Sequence, residues 1–565
     1  MKFFFPSTIA FACPNLRVRC NGQPRASCSQ RVRCNRQPRA SCSQERNHGI
    51  RWNKDVKAEL EDKKRHADDN MFIPDSKESP PLVSRLKAVA ARNDAYFQFP
   101  SHNQGRAAPS SLSSVIGVQP FIYDFTTFPA VDNLFAPKGP ILDAQKEAAK
   151  LFGAKETWFL VGGTTCGIQA SILATCSPGD TLIIQRHAHK SAFSGLVLSG
   201  AIPKYINTEF DFDWDIPYGI TPSQVEKAMK ELDSEGRKAS AVFIASPTYN
   251  GICSNLEDIS DLCHSRNIPL IVDEAHGAHL RFHRSSSHLS ALHQGADISI
   301  QSTHKVLGSL TQSSMLHLSG KIVDRERICQ CLQTLQTTSP SYLLLASLDA
   351  ARAQISEHPQ SIFNKPFELA REAKALVERI PGITIFNSST LEADPLRLTV
   401  GVWKLGLSGF EANEIITKDY GLISEVTGTR SILFVVNLGT SKDDIVRLVS
   451  GLKHLSETHI SIQVGDIHPL TETNPSMRLS PRDAFFASKK KVRFEESIGE
   501  VCGELICPFP PGIPLLVPGE VITEEVLSYL LKLKNKGGFV IGVADSTLSS
   551  IVACGNPIVD LGGEL

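Results

Sequence analysis

From about residue 120 to 350, short apolar runs alternate with segments whose apolar residues recur at helical spacing. Ala239-Ser-Ala-Val-Phe-Ile-Ala245 reads as a strand, Leu256 to His264 as a helix, and Leu270-Ile-Val272 as the next strand. This alternation predicts a parallel sheet covered by helices. Binding residues in such a sheet belong at the carboxyl ends of the strands. A second unit, from about 380 to 456, opens at Pro381-Gly382 and carries strand-like runs at Leu396–Trp403 and Ile432–Val436. The polar stretch Asp466 to Ser480 reads as a linker. Beyond it, the prolines between Pro508 and Glu520 preset extended turns, and a helix is predicted over Thr523–Lys534.

Two strand ends carry unusual chemistry. Ile268-Pro-Leu-Ile-Val-Asp-Glu-Ala-His-Gly277 places Asp273 at one, and Asp297-Ile-Ser-Ile-Gln-Ser-Thr-His-Lys305 places Lys305 just past another. Alone, such a lysine reads as a solvated residue and such an aspartate as a cap or turn. Together they suit pyridoxal 5′-phosphate, which needs a lysine to hold its aldehyde as an imine and a carboxylate to keep its ring nitrogen protonated. The phosphate needs backbone N–H donors at a helix start. Trp158-Phe-Leu-Val-Gly-Gly-Thr-Thr-Cys-Gly-Ile168 offers them, as a strand, glycines, hydroxyls and a helical pattern in that order. Gly163, Thr164 and Thr165 are the candidates there, and Ser302 and His304 flank the lysine. His189, in Arg186-His-Ala-His-Lys-Ser191, is placed to lie flat on the ring, with His187 as the competing choice. Ala275 leaves room under the ring. His276 is open to a ring or carboxylate contact as much as to a structural hydrogen bond.

The segments FLVGGTTCG, RHAHKS, SPTYNGICSNL, PLIVDEAHGAH, ADISIQSTHK, TSPSYLLLASLDAAR and PPGIPLLVPGE resemble the bacterial-type ornithine/lysine/arginine decarboxylases, a branch of the fold-type I pyridoxal phosphate enzymes. The likeness runs from about residue 82 to 550. In its short form the chain is most similar to the arginine decarboxylases of Gram-positive bacteria and their cyanobacterial relatives. The resemblance implies an α/β fold of the fold-type I transferase kind. It divides into an N-terminal arm (66–120), a cofactor-binding major domain (121–380), a small α/β domain (381–460) and a linker with a C-terminal α+β domain (461–565). It implies Lys305 as the Schiff-base lysine, Asp273 on the ring nitrogen and His189 on the ring face. Gly163, Thr164, Thr165, Ser302 and His304 would hold the phosphate. Thr338 or Ser339 would reach a phosphate across the interface of a homodimer or higher homo-oligomer. The implied reaction is α-decarboxylation of arginine, with lysine and ornithine close behind, feeding polyamine synthesis. An aminotransferase or aldolase of the same fold, or a non-catalytic relative, is the alternative; for the former, Arg397 and Arg430 are available to an α-carboxylate. The family's Pro-Gly-His-Lys-type motif reads Pro100-Ser-His-Asn-Gln-Gly-Arg106 here.

The distal cation of a basic substrate needs a carboxylate, because burying it unpaired is unfavourable. Glu425, Glu520 and Glu524 are the candidates.

Composition limits the partners. Lysine plus arginine equals aspartate plus glutamate at 59 each, so there is no basic field for nucleic acid. No apolar run approaches the ~20 residues that cross a bilayer. Residues 1–44 lack acids but hold Lys2 and seven arginines. With Ser-rich content, this reads as an organelle transit extension (1–65), plastid before mitochondrion. A secretory signal is weaker because Pro6 breaks the apolar run Phe3–Cys13. Residues 17–30 repeat almost unchanged as 31–44. The cysteines lack zinc spacing and read as free thiols of a reducing compartment; no metal is expected.

Overall fold

The computed structural model describes residues 79–92, 94–387, 391–459, 476–509, 512–535 and 537–555. The expected transit extension, most of the expected linker and the last ten residues lie outside the described residues.

The major domain is built on β1 (Glu156–Leu160), β2 (Thr181–Gln185), β3 (Ile202–Ile206), a short hairpin of β4 (Phe210–Asp211) and β5 (Ile216–Pro217), β6 (Ala239–Ala245), β7 (Leu270–Asp273), β8 (Ile298–Gln301) and β9 (Ser314–Leu318). Seven of these form one sheet in the order β1-β9-β8-β7-β6-β2-β3. Pairing from β8 through β3 is parallel, and only β9 runs against its neighbours. Every residue of β2, β7 and β8 is buried, as strands covered on both faces require.

Side-chain alternation divides the core between the two faces. Leu182, Ile184, Phe243, Ile271 and Ile300 pack with Ile168, Phe193 and Ile328 of the helices Gly163–Thr175, Lys190–Ser199 and Arg325–Leu335. Ile183, Val242, Ile244, Leu270 and Val272 face the other way, onto Val225, Met229 and Ile259 of the helices Pro222–Ser234 and Leu256–Ser265. Local sequence starts these helices. Thr221 and Gln224 form a capping box, and Asn255 accepts from the Asp258 N–H.

The small domain is an antiparallel sheet of β10 (Thr384–Ile385), β11 (Arg397–Gly401), β12 (Val426–Thr427) and β13 (Ser431–Val435), ordered β10-β11-β13-β12. It shares one core with the helices Pro81–Ala90, Pro140–Phe152 and Tyr342–Glu357. The C-terminal unit pairs β14 (Lys489–Arg493) with β17 (Ser550–Cys554) and β15 (Cys507–Phe509) with β16 (Phe539–Ile541), around the helix Glu524–Asn535. Among the described residues, nine cysteines are free thiols and no helix is long and apolar enough to cross a membrane.

A buried ion pair ties the C-terminal unit to the main sheet. Arg186, just past β2, donates to both carboxylate oxygens of Glu520 at 3.0 and 2.8 Å. It also donates to the carbonyls of Pro514 (2.8 Å) and Leu515 (3.0 Å). Glu520 accepts in addition from the Val517 N–H at 2.8 Å. Both side chains are less than a tenth exposed, so neither charge tolerates loss of its partner. Arg186→Met is expected to lower unfolding stability by about 3–5 kcal/mol, and Arg186→Met/Glu520→Leu to recover much of that loss. Denaturant midpoints of the three proteins check both statements.

Candidate active site

The carboxyl ends of the central strands open on one cavity of about 270 Å³. Its inner wall includes Thr164, His189, Asp273, Ala275, His276 and Lys305. Strand register puts these groups level, with Ala245 of β6 opposite Asp273 and Asp273 opposite Ile300 of β8. Directly after β8, Ser302 starts the one-turn helix Thr303–Val306 that carries Lys305. After β2, His189 caps the helix Lys190–Ser199; its Nδ1 accepts the Ser191 N–H at 3.3 Å and lies 2.8 Å from the Ser191 hydroxyl.

Burial sets the charges. It pushes the Asp273 carboxyl up to about 6, against the opposing influence of Lys305 and of the Ala275 N–H, which donates at 3.1 Å. Burial also lowers the Lys305 amine, and the carboxylates of Asp273 and Glu425 resist that shift. A lowered amine keeps a larger share of the neutral, nucleophilic form. His189 is held near 4 by burial and by the cations Lys305 and Lys190. His276 is driven well below the imidazole range, chiefly by burial and then by Lys305 and Arg397. Both rings are therefore neutral at pH 7. His276 Nε2 lies 2.9 Å from Lys305 Nζ, and its ring centroid is 4.4 Å from that of Tyr249.

The donor set fits pyridoxal phosphate. No side chain caps the start of the helix Gly163–Thr175, so its first-turn N–H groups are open to an anion. Gly163 adopts φ +72°, where glycine is favoured. Thr164 Oγ1 and Ser302 Oγ meet at 3.0 Å, a hydroxyl pair beside those donors. Thr165 is exposed and outside the cavity wall, and His304 turns Nδ1 to the Ser313 carbonyl at 2.8 Å. Thr164 and Ser302 thus meet beside Gly163 at this helix start, with Thr165 next along the same turn and His304 on the turn that carries Lys305. His187 also lines the cavity, but its Nδ1 is engaged with the Thr208 hydroxyl at 2.9 Å.

The remaining candidates lie outside the wall of this chain's cavity. Glu520 is locked in the Arg186 ion pair, so it is not available to a substrate cation. Glu524 stands exposed at the first position of its helix, outside the cavity wall. Glu425 is also exposed and outside the wall, yet its charge reaches Lys305 and Tyr249. Thr338 and Ser339 are exposed and line no part of this chain's cavity. The Pro100–Arg106 segment likewise stays outside the wall; its His102 lies 3.2 Å from Asp124. Arg397 is buried and committed, with Nε donating to Asp394 at 3.1 Å and Nη2 to the His276 carbonyl at 3.0 Å. Arg430 lies with its guanidinium carbon 5.0 Å from the Trp403 ring centroid.

Among the wall residues not anticipated from sequence are Tyr249 and Asp215. Tyr249 follows β6 in Ser-Pro-Thr-Tyr-Asn250, and its place just past a strand end was a usable signal. Asp215 lies in the β4–β5 turn, with no periodicity or motif to mark it.

Residues 80–404 match the family described as Orn/Lys/Arg decarboxylase, major domain, and residues 467–540 match its C-terminal domain. The chain belongs to the Orn/Lys/Arg decarboxylase family. It is 36% identical to the arginine decarboxylase of Bacillus subtilis (strain 168), covering 84% of this chain and 98% of that protein. The arginine decarboxylase of Halalkalibacterium halodurans is 37% identical, over 84% of this chain and 97% of the relative. The Francisella novicida lysine decarboxylase structure superposes with a TM-score of 0.74 at 21% identity, over 88% of this chain and 83% of that one. That likeness shows the fold, that of fold-type I pyridoxal phosphate enzymes.

The electrostatics make a directional prediction. Asp273→Asn removes the carboxylate that opposes the lowering of Lys305, so the amine pKa falls further. In cofactor-free protein, the pH midpoint for acylation of Lys305, followed by mass spectrometry, is expected to move down in the variant. An upward shift, or none, contradicts the coupling.

Proposed function

We propose that this family member decarboxylates arginine in preference to lysine or ornithine, using pyridoxal phosphate bound at Lys305. The observation that carries the reading is the pairing of buried Asp273 and half-buried Lys305 in one cavity, beside an uncapped helix start. The preference for arginine is supported by the relatives at 36–37% identity, both named arginine decarboxylases.

Bound pyridoxal phosphate supplies a sink for the electron pair left on the α-carbon when carbon dioxide departs. The residues do the rest. Gly163, Thr164 and Ser302 would hold the phosphate, and Asp273 would brace the ring nitrogen. His189 would cover the ring face as a neutral imidazole. Lys305 would anchor the cofactor and, once free, would serve as the proton donor to the substrate, with the neutral His276 imidazole 2.9 Å from its Nζ to orient it. The apolar side chains that line the cavity would limit water around the departing carboxylate, which favours discharge of that anion.

An aminotransferase reading finds less support, because Arg397 is already engaged by Asp394 and the His276 carbonyl. The exposed Thr338 and Ser339 support a shared site in a homodimer, where they would complete the partner's phosphate cradle. The acid-free, arginine-bearing segment 1–44 supports import into a plastid, and the products would then feed polyamine synthesis.

Purified protein with added pyridoxal phosphate, offered arginine, lysine and ornithine in parallel, should release carbon dioxide and give agmatine with the highest kcat/KM. Appearance of a keto acid would sink the decarboxylase reading. Lys305→Ala should lose turnover together with the visible absorbance that borohydride removes. Asp273→Asn should lower kcat by about 10²–10³-fold, the usual loss when a group stabilising developing charge is removed.

A further inference from the structure

The cavity extends past the cofactor region to a second wall that no motif marks. Asp215 stands there, and Asp215 and Asp273 are the only carboxylate side chains lining the cavity among the described residues. With Asp273 assigned to the ring nitrogen and Glu520 held by Arg186, Asp215 is the lining acid left for a substrate. We propose that Asp215 receives the distal cation of the substrate, an inference that rests on the basic amino-acid decarboxylase reading above.

The hairpin around Asp215 is braced to present it. Asp211 Oδ1 accepts the N–H groups of Asp213 (3.0 Å) and Trp214 (3.1 Å), and its Oδ2 accepts the Tyr218 hydroxyl at 2.6 Å. Trp214 packs edge-on against Trp403, with centroids 4.7 Å apart, and against Phe386 at 5.3 Å. Asp215 itself has φ +57°, a conformation that non-glycine residues adopt at an energetic penalty and that gathers at functional sites. The Thr429 hydroxyl donates to its carboxylate.

The surroundings match a basic amino acid along its length. Phe210, Ile216, Phe410 and Val426 line the same cavity as Asp215, apolar surface for an aliphatic stem. Tyr529 and Leu533 of the C-terminal helix add to the lining. Burial raises the Asp215 carboxyl to about 6, while Thr429 and Arg430 oppose the rise. An arriving guanidinium or ammonium adds to the side of that balance that keeps the carboxylate ionised.

The test compares arginine with citrulline, its neutral near-isostere. In the unsubstituted protein, arginine should be strongly preferred by kcat/KM. Asp215→Asn should lower kcat/KM for arginine on the order of 100-fold, mainly through KM, with little change for citrulline and with the borohydride-sensitive absorbance retained. Asp215→Glu should recover part of the preference. If neither variant folds, a crystal structure of the unsubstituted protein with agmatine decides; the guanidinium should lie within hydrogen-bond distance of Asp215. A guanidinium placed elsewhere, an undiminished preference in Asp215→Asn, or a preference lost instead in Glu425→Gln overturns this inference alone. No turnover of any basic amino acid by the unsubstituted protein overturns it together with the proposed function.

Discussion

An acid and an amine share one buried cavity, and each is tolerable there because of the other. Burial pushes Asp273 toward its neutral form and Lys305 toward its own, and their mutual attraction resists both shifts. The result is a carboxylate able to brace a protonated ring and an amine soft enough to react with an aldehyde. Much of the architecture serves to keep these groups dry and level. The strands β6, β7 and β8 are parallel, so their carboxyl ends finish on the same edge. A reversed β7 would carry Asp273 to the opposite edge, away from Lys305.

The rest of the chain closes this edge. From the small domain side, Asp394 accepts from His279 Nε2 at 3.0 Å and from Arg397, and Arg397 in turn grips the His276 carbonyl. Asp394 is held down to about 2: burial pushes it up, but His279, Arg397 and the Leu396 N–H outweigh that effect. It therefore stays an anion across the working pH range. The chain of contacts runs from a small-domain arginine to the imidazole beside Lys305. From the C-terminal side, Arg186 and Glu520 pin the Pro-rich turn against the end of β2, bringing Pro514 and Leu515 to the cavity wall. Both networks are buried and charged, which makes them sensitive to loss of any one partner.

The acids show how differently one residue type is used. Glu520 welds two units together, Glu274 is buried with Ser299, Gln301 and the Ala291 N–H as its partners, and Glu425 stays in solvent while its field reaches Lys305. Asp215, in a braced hairpin, faces the cavity. Sequence spacing does not separate these roles, because each follows from what happens to stand opposite.

The amino-acid order by itself specified the layered α/β fold, since continuous apolar runs alternating with helical periodicity leave little other way to bury both. It also marked Lys305, Asp273, His189 and the Gly163–Thr164 turn, because strand ends and glycine-hydroxyl turns are local features. It did not show that Thr164 and Ser302 meet while His304 turns Nδ1 to the Ser313 carbonyl, since neighbouring side chains leave a turn in different directions. Nor did it reveal that Arg186 neutralises Glu520 from 334 positions away. Such long-range pairings, and with them the far end of the cavity at Asp215, were decided only when folding brought three units around one sheet edge. Charge pairing depends on distance through space, which local pattern does not encode.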